Sequence, residues 1–403
     1  MSTPPPPPTP KHIVRSHGAQ VNVVCFSDDN ERILSGDAVG VVVVTSTRSL
    51  RALANWKAHT DGLLGLQEFE GQILTHGRDN KLHVWKGVFE PSRTLGGSAA
   101  LPGLQAPQLC YSLDVNALNF CRFGLLPLSS EKRTDDCHAL IAVPNLVESS
   151  YADVWTLPGK QRLHAAIGKE GQTSPALDGR ETRNAIGIIM SMHLMSVPHP
   201  HAADRTRLRL LCSYENGSVT MREYTRDDKE TSIEGMGWDV LWSVKHHVES
   251  VMAMAVSRDN SFALTVSADH LIGRYNFADA ERPETREAAC AVYRTKHPGN
   301  ASVTIKDDGR VCAVGGWDGR IRLYSTKSFK PLGTLSYHKK SCQAVAVARS
   351  QPQLLPCTSE GGGEGDEEDE MSEVEKEERA RWLVSGGQDN RVAIWSLIEF
   401  GKT

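Results

Sequence analysis

An internal repeat constrains this chain more than any other feature. His17 is followed by an alternating stretch, Val21 to Phe26, a second run, Arg32-Ile-Leu-Ser35, a turn at Gly36-Asp37, and a third strand from Val41 to Thr45. The pattern returns with His59, Leu63 to Phe69, Gln72 to Thr75, Gly77-Arg-Asp79-Asn80 and Lys81 to Trp85. A later copy runs from His246-His247 through Val251 to Val256 and Ala263 to Ser267, to Asp269-His270 and Leu271 to Tyr275. Another runs from His297 through Val303 to Ile305 and Val311 to Gly315, to Gly316-Trp-Asp318-Gly319 and Arg320 to Tyr324. The last begins at His338, passes Ala344 to Ala348 and Trp382 to Ser385, and ends in Gly387-Gln-Asp389-Asn390 and Arg391 to Trp395. Two weaker copies fill the middle. Val115 to Phe120, His138 to Val143 and Ala152 to Trp155 have the strands without the turn; Ile186 to Met192, Leu208 to Ser213 and Ser218 to Tyr224 keep the turn with Asn216 in place of Asp. Each copy holds three short strands and a more variable outer one, a single sheet that cannot bury both faces alone.

Seven such sheets, each packed on the next, cover one another's faces and leave no long open edge. The expected fold is therefore all-β, a seven-bladed β-propeller occupying residues 11–403, with blades starting near 17, 59, 113, 186, 246, 297 and 338. Such a closed repeat reconciles 403 residues with one domain. The His, Asp and Trp or Tyr of each copy resemble the WD40 signature, in which a His, a Ser or Thr, the turn Asp and the Trp form a buried hydrogen-bonded chain. Complete candidates are His59, Thr75, Asp79 and Trp85, and His338, Ser385, Asp389 and Trp395. A lone His/Ser/Asp set invites comparison with a hydrolase triad, but a set repeated from copy to copy reads as structural. The last copy lacks room for an outer strand. Lys11-His-Ile-Val-Arg15 is spare, and its pairing with the last sheet would close the fold with an N-terminal strand.

Composition narrows the function. Net charge is −4, which gives no overall pull towards nucleic acid, and 39% hydrophobic with 23% charged residues is ordinary for a globular chain. Pro4 to Pro8 stand where a signal peptide would have its apolar region. No apolar run approaches 18 residues, and Val41 to Val44 is strand-like in length. The nine cysteines include no C-x-x-C pair and read as free thiols of cytosol or nucleus. No P-loop, G-x-S-x-G or H-E-x-x-H occurs. His199-Pro-His201 and His246-His247 lack further ligands at metal spacing. No catalytic residue, metal or cofactor is expected.

Some segments fall outside the repeat. Residues 1–10 are a proline-rich tail expected to be disordered. The insertion at about 358–380, with Asp366-Glu-Glu-Asp-Glu370 at its centre, should be kept disordered by like-charge repulsion. It reads as a solvated insertion, with docking of a basic partner as the functional reading. Residues 91–109 and 158–183 read as flexible loops. Trp238 and Trp242 lie outside the signature positions and read either as an inward-packed outer strand or as one exposed partner anchor.

More particular strings carry a closer resemblance. These are Thr9-Pro-x-x-Ile-Val-Arg15-x-His17, Leu74-Thr-His-Gly-Arg-Asp79-Asn-Lys-Leu-His-Val-Trp85, Val115-Asn-Ala-Leu-Asn-Phe-Cys121 and Gly316-Trp-Asp-Gly-Arg-Ile-Arg322. Together they resemble the ASTRA-associated protein 1 family of fungi and its animal relative, the Gβ-subunit-like protein 1. The resemblance implies a non-catalytic nuclear adaptor, possible in the cytoplasm too, within the ASTRA assembly. That assembly joins the Tel-two/Tti co-chaperone module, RuvB-like ATPases and a PI3-kinase-like scaffold, and is linked to chromatin remodelling and maturation of PI3-kinase-like proteins. A monomer inside a hetero-complex, touching neither membrane nor nucleic acid directly, is implied. The alternative is a substrate receptor of a cullin-type ubiquitin ligase, suggested by Trp317-Asp-Gly-Arg320, although here Asp318 is a turn residue rather than the end of a repeat.

Overall fold

In the computed structural model, residues 8–88, 104, 106–169, 186–199, 201–351 and 371–398 are described. They form seven four-stranded antiparallel sheets, the blades of a seven-bladed WD-repeat β-propeller. The chain divides into two compact units, Met1–Ser112 with Thr304–Thr403, and Leu113–Val303. Unit 1 carries the first, second, sixth and seventh sheets; unit 2 carries the third to fifth.

In unit 1 the first sheet runs Val21–Phe26, Arg32–Asp37, Val41–Ser46 and Ala52–Lys57. Its second strand is buried at every position, as is Trp382–Gly387 in the seventh sheet. Both strands sit mid-sheet with neighbours on both faces, so alternation gives way to a run of burial. Val14, Val21, Phe26, Ile33, Trp382 and Val384 form the core between the seventh and first sheets. Val23, Leu34, Trp56, Leu63 and Ile73 do the same between the first and second, and Ala313, Ile321, Leu383 and Trp395 between the sixth and seventh. Arg32, almost wholly buried, joins the first two sheets by donating to Glu68 at 3.0 and 3.3 Å and to Asp29 at 2.8 Å. Such a charge is tolerable only because both of its partners are carboxylates.

The spare N-terminal strand lies where the sequence places it. His12–Val14 pairs antiparallel with the last strand, His12 opposite Ile394 and Val14 opposite Val392. The amide of Lys11 extends the ladder to the Ile394 carbonyl at 2.7 Å.

In unit 2, Cys121, Leu140, Val154, Leu194, Leu210 and Tyr214 fill the space between the third and fourth sheets. Met195, Leu211, Met221, Trp242, Tyr275 and Phe277 fill that between the fourth and fifth. Trp238 and Trp242 are both buried on the outer strand Trp238–Lys245, which removes the exposed-anchor reading. The fourth sheet opens with an unusually long hairpin, Ile189–His199 and Ala202–Tyr214.

Several expectations are corrected. Val115 to Phe120 is a loop, and the third sheet instead begins at Gly124–Pro127. Asn116 and Asn119 explain this, since their amides donate to the carbonyls of Asn145, Ser149 and Ile189 and tie the segment to neighbouring loops. The loop expected at 158–183 starts later, because Arg162–Ile167 is the outer strand of the third sheet. Leu109, the end of the loop expected at 91–109, already begins the strand Leu109–Asp114.

The acidic insertion is not disordered at its C-terminal end. Ser372 caps a helix, Glu373–Arg379, with Glu375 reciprocating in a capping box. Acidic residues occupy its first turn and basic residues its last, as the helix dipole favours. Met371 and Arg379 are buried, Arg379 donates to the Thr47 carbonyl at 3.1 Å, and Lys11 ion-pairs with Glu378. Arg379 and Lys11 each approach the Trp382 ring at 5.0 Å. The Asp366–Glu370 run and residues 1–7 of the tail lie outside the described residues.

Removing residues 1–14 deletes Val14 from the core and the hydrogen-bonding partner of the last strand. We expect a loss of about 3–5 kcal/mol from that burial and those ladder bonds. Urea denaturation of the truncated chain measures it, and an unchanged midpoint would show that the strand contributes nothing.

Candidate functional site

The chemistry-bearing residues of the repeat gather at one end of each sheet, where the loop entering the first strand meets the turn between the second and third. In the second sheet His59 sits with Nδ1 at 2.9 Å from Asp79 Oδ1 and Nε2 at 2.8 Å from Thr75 Oγ1, while Trp85 Nε1 donates to that hydroxyl at 2.9 Å. The seventh sheet repeats the set. His338 lies 2.9 Å from Asp389 and 2.9 Å from Ser385, whose hydroxyl accepts from Trp395 at 3.1 Å.

The partners fix the protons. A carboxylate accepts, so each Nδ1 carries a hydrogen; each Nε2 then accepts from a hydroxyl, whose oxygen accepts from the indole N–H. The neutral imidazole is thus spent at both nitrogens. Burial lowers the His59 pKa against the pull of Asp79. Burial alone would raise Asp79, but hydrogen bonds from the Thr60 amide and from His59 hold its carboxyl below the usual range.

Glycine makes room for the ring. A Cβ at Gly77 would lie 2.3 Å from His59 Nδ1, and one at Gly387 would lie 2.4 Å from His338 Nδ1. After the Asp the chain turns through left-handed backbone. Asn80 and Asn390 adopt it at φ 62° and 63°, and Gly319 at φ 77°.

Two more sets exist that sequence reading left incomplete. His17 bonds Asp37 at 3.0 Å and Ser35 at 2.8 Å. Asp37 stands two residues earlier in the turn than Asp79 does, within the strand Arg32–Asp37. His247 bonds Asp269 at 3.0 Å and Thr265 at 2.9 Å, with Tyr275 standing in for the Trp. His246 of the same pair is not the tetrad residue.

The remaining sheets use other means. The expected His297 of the sixth sheet is exposed, and Asp318 is held instead by Arg322 at 2.5 and 3.2 Å. A Cβ at Gly316 would lie 2.9 Å from Arg322 Nη1, so the guanidinium fills the space an imidazole takes elsewhere. In the fourth sheet Arg222, at the Trp position, donates to the Tyr214 hydroxyl at 2.8 Å. Asn145 donates to Asp153 at 2.8 Å in the third. No tetrad signal in the sequence marks these three substitutes.

Among the described residues, one group has metal-like proximity: His59, Asp79 and His83 have ligand atoms within 4.8 Å of one another. His59 has no lone pair to give, since Nδ1 faces Asp79 and Nε2 faces Thr75, and His83 Nδ1 is 2.7 Å from Ser112. The His83 ring stacks on His59 at 4.6 Å. Hydrogen bonding and packing account for the cluster. At the other predicted pair, His199 bonds Asp227 at 3.1 Å and accepts from the His201 amide, a hairpin-tip contact. The eight described cysteines are free thiols.

Residues 8–38 and 292–325 match the family model for the WD domain, G-beta repeat. The chain is similar to ASTRA-associated protein 1 of Verticillium alfalfae, at 32% identity over 98% of this chain and 94% of that protein. It is also similar to ASTRA-associated protein 1 of Aspergillus niger, at 28% identity over 97% and 98% of the two chains. The Schizosaccharomyces pombe protein of the same name is 28% identical over 84% and 93%.

Replacing Asp79 by Ala leaves a buried imidazole and the Thr60 amide without their acceptor and should cost about 2–3 kcal/mol, against about 1 kcal/mol for Trp85→Phe. Urea denaturation of the two variants checks the order, and equal costs would contradict it. Acid should act in the same direction on two other histidines. Burial pushes His76 down to about 3 and His164 to about 4, both below the unfolded value near 6.5. Protonation therefore favours the unfolded chain, so stability is full above pH 6.5 and is lost as pH falls towards 4. Each should cost about 1 kcal/mol between pH 7.5 and 5.5, readable as a falling urea midpoint that His164→Phe partly flattens.

Proposed function

The chain belongs to the ASTRA-associated protein 1 family, and on that premise we propose that it is a non-catalytic adaptor subunit of the ASTRA assembly, acting in the nucleus. The single observation that carries this reading is similarity at 32% identity along 98% of the chain to a relative whose name states that association. Its partners, on this reading, are the Tel-two/Tti co-chaperone module, RuvB-like ATPases and a PI3-kinase-like scaffold. Its role is to hold them during maturation of PI3-kinase-like proteins and chromatin remodelling.

The chemistry supports an adaptor. The four His/Asp/hydroxyl sets spend their hydrogen-bonding groups on one another, so their imidazoles have no capacity left for proton transfer to a substrate. Scaffolds of this kind bind through loops and rim, and rigid sheets beneath those loops hold the binding geometry.

Affinity purification of the tagged chain from nuclear extract, read by mass spectrometry, tests the proposal. Recovery of the Tel-two/Tti proteins with a PI3-kinase-like scaffold is the expected result. Recovery of a cullin adaptor without them would favour a ubiquitin-ligase receptor and overturn the adaptor reading.

A further inference from the structure

The tetrad end of unit 1 has a charge character that the chain as a whole does not. Net charge is −4 overall, yet this end presents Arg15, Arg320, Lys339 and Lys340, all exposed, together with Trp317, 49% exposed on a turn.

Contacts between the loops make these residues one surface. A Cβ placed on Gly319 would lie 2.4 Å from the His338 carbonyl and 2.6 Å from that of Lys340. The turn bearing Trp317 and Arg320 is thus seated against the loop bearing Lys339 and Lys340. That loop is joined to the next turn by the Gln388 amide, which donates to the Ser341 carbonyl at 2.8 Å. Asn390 of that turn donates to the Gly18 carbonyl at 2.9 Å, three residues from Arg15.

The carboxylates interleaved with these cations are engaged by hydrogen bonds, Asp318 with 44% of its side chain still exposed. Asp37 faces His17, Asp318 faces Arg322, and Asp389 faces His338 and accepts from the Lys339 amide at 3.3 Å. Asp61, on the loop beyond Gly40, is a further exposed acid at the border of this surface. The tetrads hold the loops that carry these cations, and Arg322 offsets the charge of Asp318.

We propose that the tetrad end of unit 1 is a docking surface for an acidic peptide segment of a partner protein, with Arg15, Arg320, Lys339 and Lys340 receiving carboxylates and Trp317 packing an apolar side chain. This deepens the adaptor reading and rests on it. Charge complementarity selects the partner chemistry, and a half-exposed Trp ringed by cations is the kind of group that anchors an interface. A short peptide senses charges within a Debye length of about 8 Å. A duplex is held by a row of cations along its backbone, whereas this surface groups four around one Trp, so a peptide is the better match.

Fluorescence anisotropy of a short labelled peptide of aspartates and glutamates with one central leucine tests the proposal on the full chain. Binding that falls at least tenfold in K339E/K340E and severalfold in Trp317→Ala, and weakens with added salt, is expected. Lys229→Glu, on unit 2, should leave it unchanged. These side chains are exposed, and an unchanged melting temperature in each variant verifies that the fold survives. Absence of binding by the natural chain, equal binding by K339E/K340E, or tighter binding of a DNA duplex with the same sensitivity would overturn the proposal. Purification of tagged natural and K339E/K340E chains separates the two readings. If the natural chain recovers the assembly and the variant recovers all of it too, the docking surface falls and the adaptor stands. If the natural chain recovers none of it, the adaptor reading falls.

Discussion

Burying an imidazole is costly unless its nitrogens find partners, and much of this fold is organised around meeting that cost. His17, His59, His247 and His338 each reach a carboxylate with one nitrogen and a hydroxyl with the other. The carboxylate belongs to the turn between two strands, the hydroxyl to a strand in the middle of the sheet, and the histidine to the loop that enters the sheet. One side chain thereby ties three segments that are distant in sequence. Left without its acceptor, the ring would carry the full desolvation cost of an unmet donor. That is why the Asp, and not merely the apolar faces, recurs.

The same condition explains the sheets that lack the histidine. The space beside the turn must still be filled and the Asp still met. In the sixth sheet Arg322 does both, with Gly316 keeping the space clear. In the fourth, Arg222 reaches a buried tyrosine hydroxyl. These solutions put a permanently charged group where the others have a neutral ring, and they keep the turns in place without the repeat's signature. Function follows from this rigidity. Loops pinned by buried polar contacts can present a fixed set of exposed cations and one tryptophan, whereas groups already bonded to each other have little left for catalysis.

Much of the architecture was legible because it is periodic. The recurrence of His, Gly-x-Asp and Trp set the number of blades, the closing role of Lys11 to Arg15 followed from counting strands, and two tetrads could be named residue by residue. Family membership was legible too, in strings such as Gly77-Arg-Asp-Asn-Lys-Leu82. What failed did so where side chains compete with the backbone. Val115 to Phe120 alternates like a strand, but Asn116 and Asn119 bond distant carbonyls and hold it as a loop. The helix Glu373–Arg379 forms despite the acidic run before it, because the capping box Ser372/Glu375 is a local signal that net charge does not override.

By itself the sequence determined the repeat, the alternation of buried and exposed positions, and the pairs of residues that must meet if seven sheets are to pack. Those are consequences of spacing, and spacing is written in the chain. Only the tertiary structure decided which arginine replaces a missing histidine, that Asp37 serves from a shifted position, and that Arg15, Arg320 and Lys339 share one surface. Such facts depend on which loops the folded sheets bring side by side, a matter of three-dimensional distance to which sequence separation is no guide.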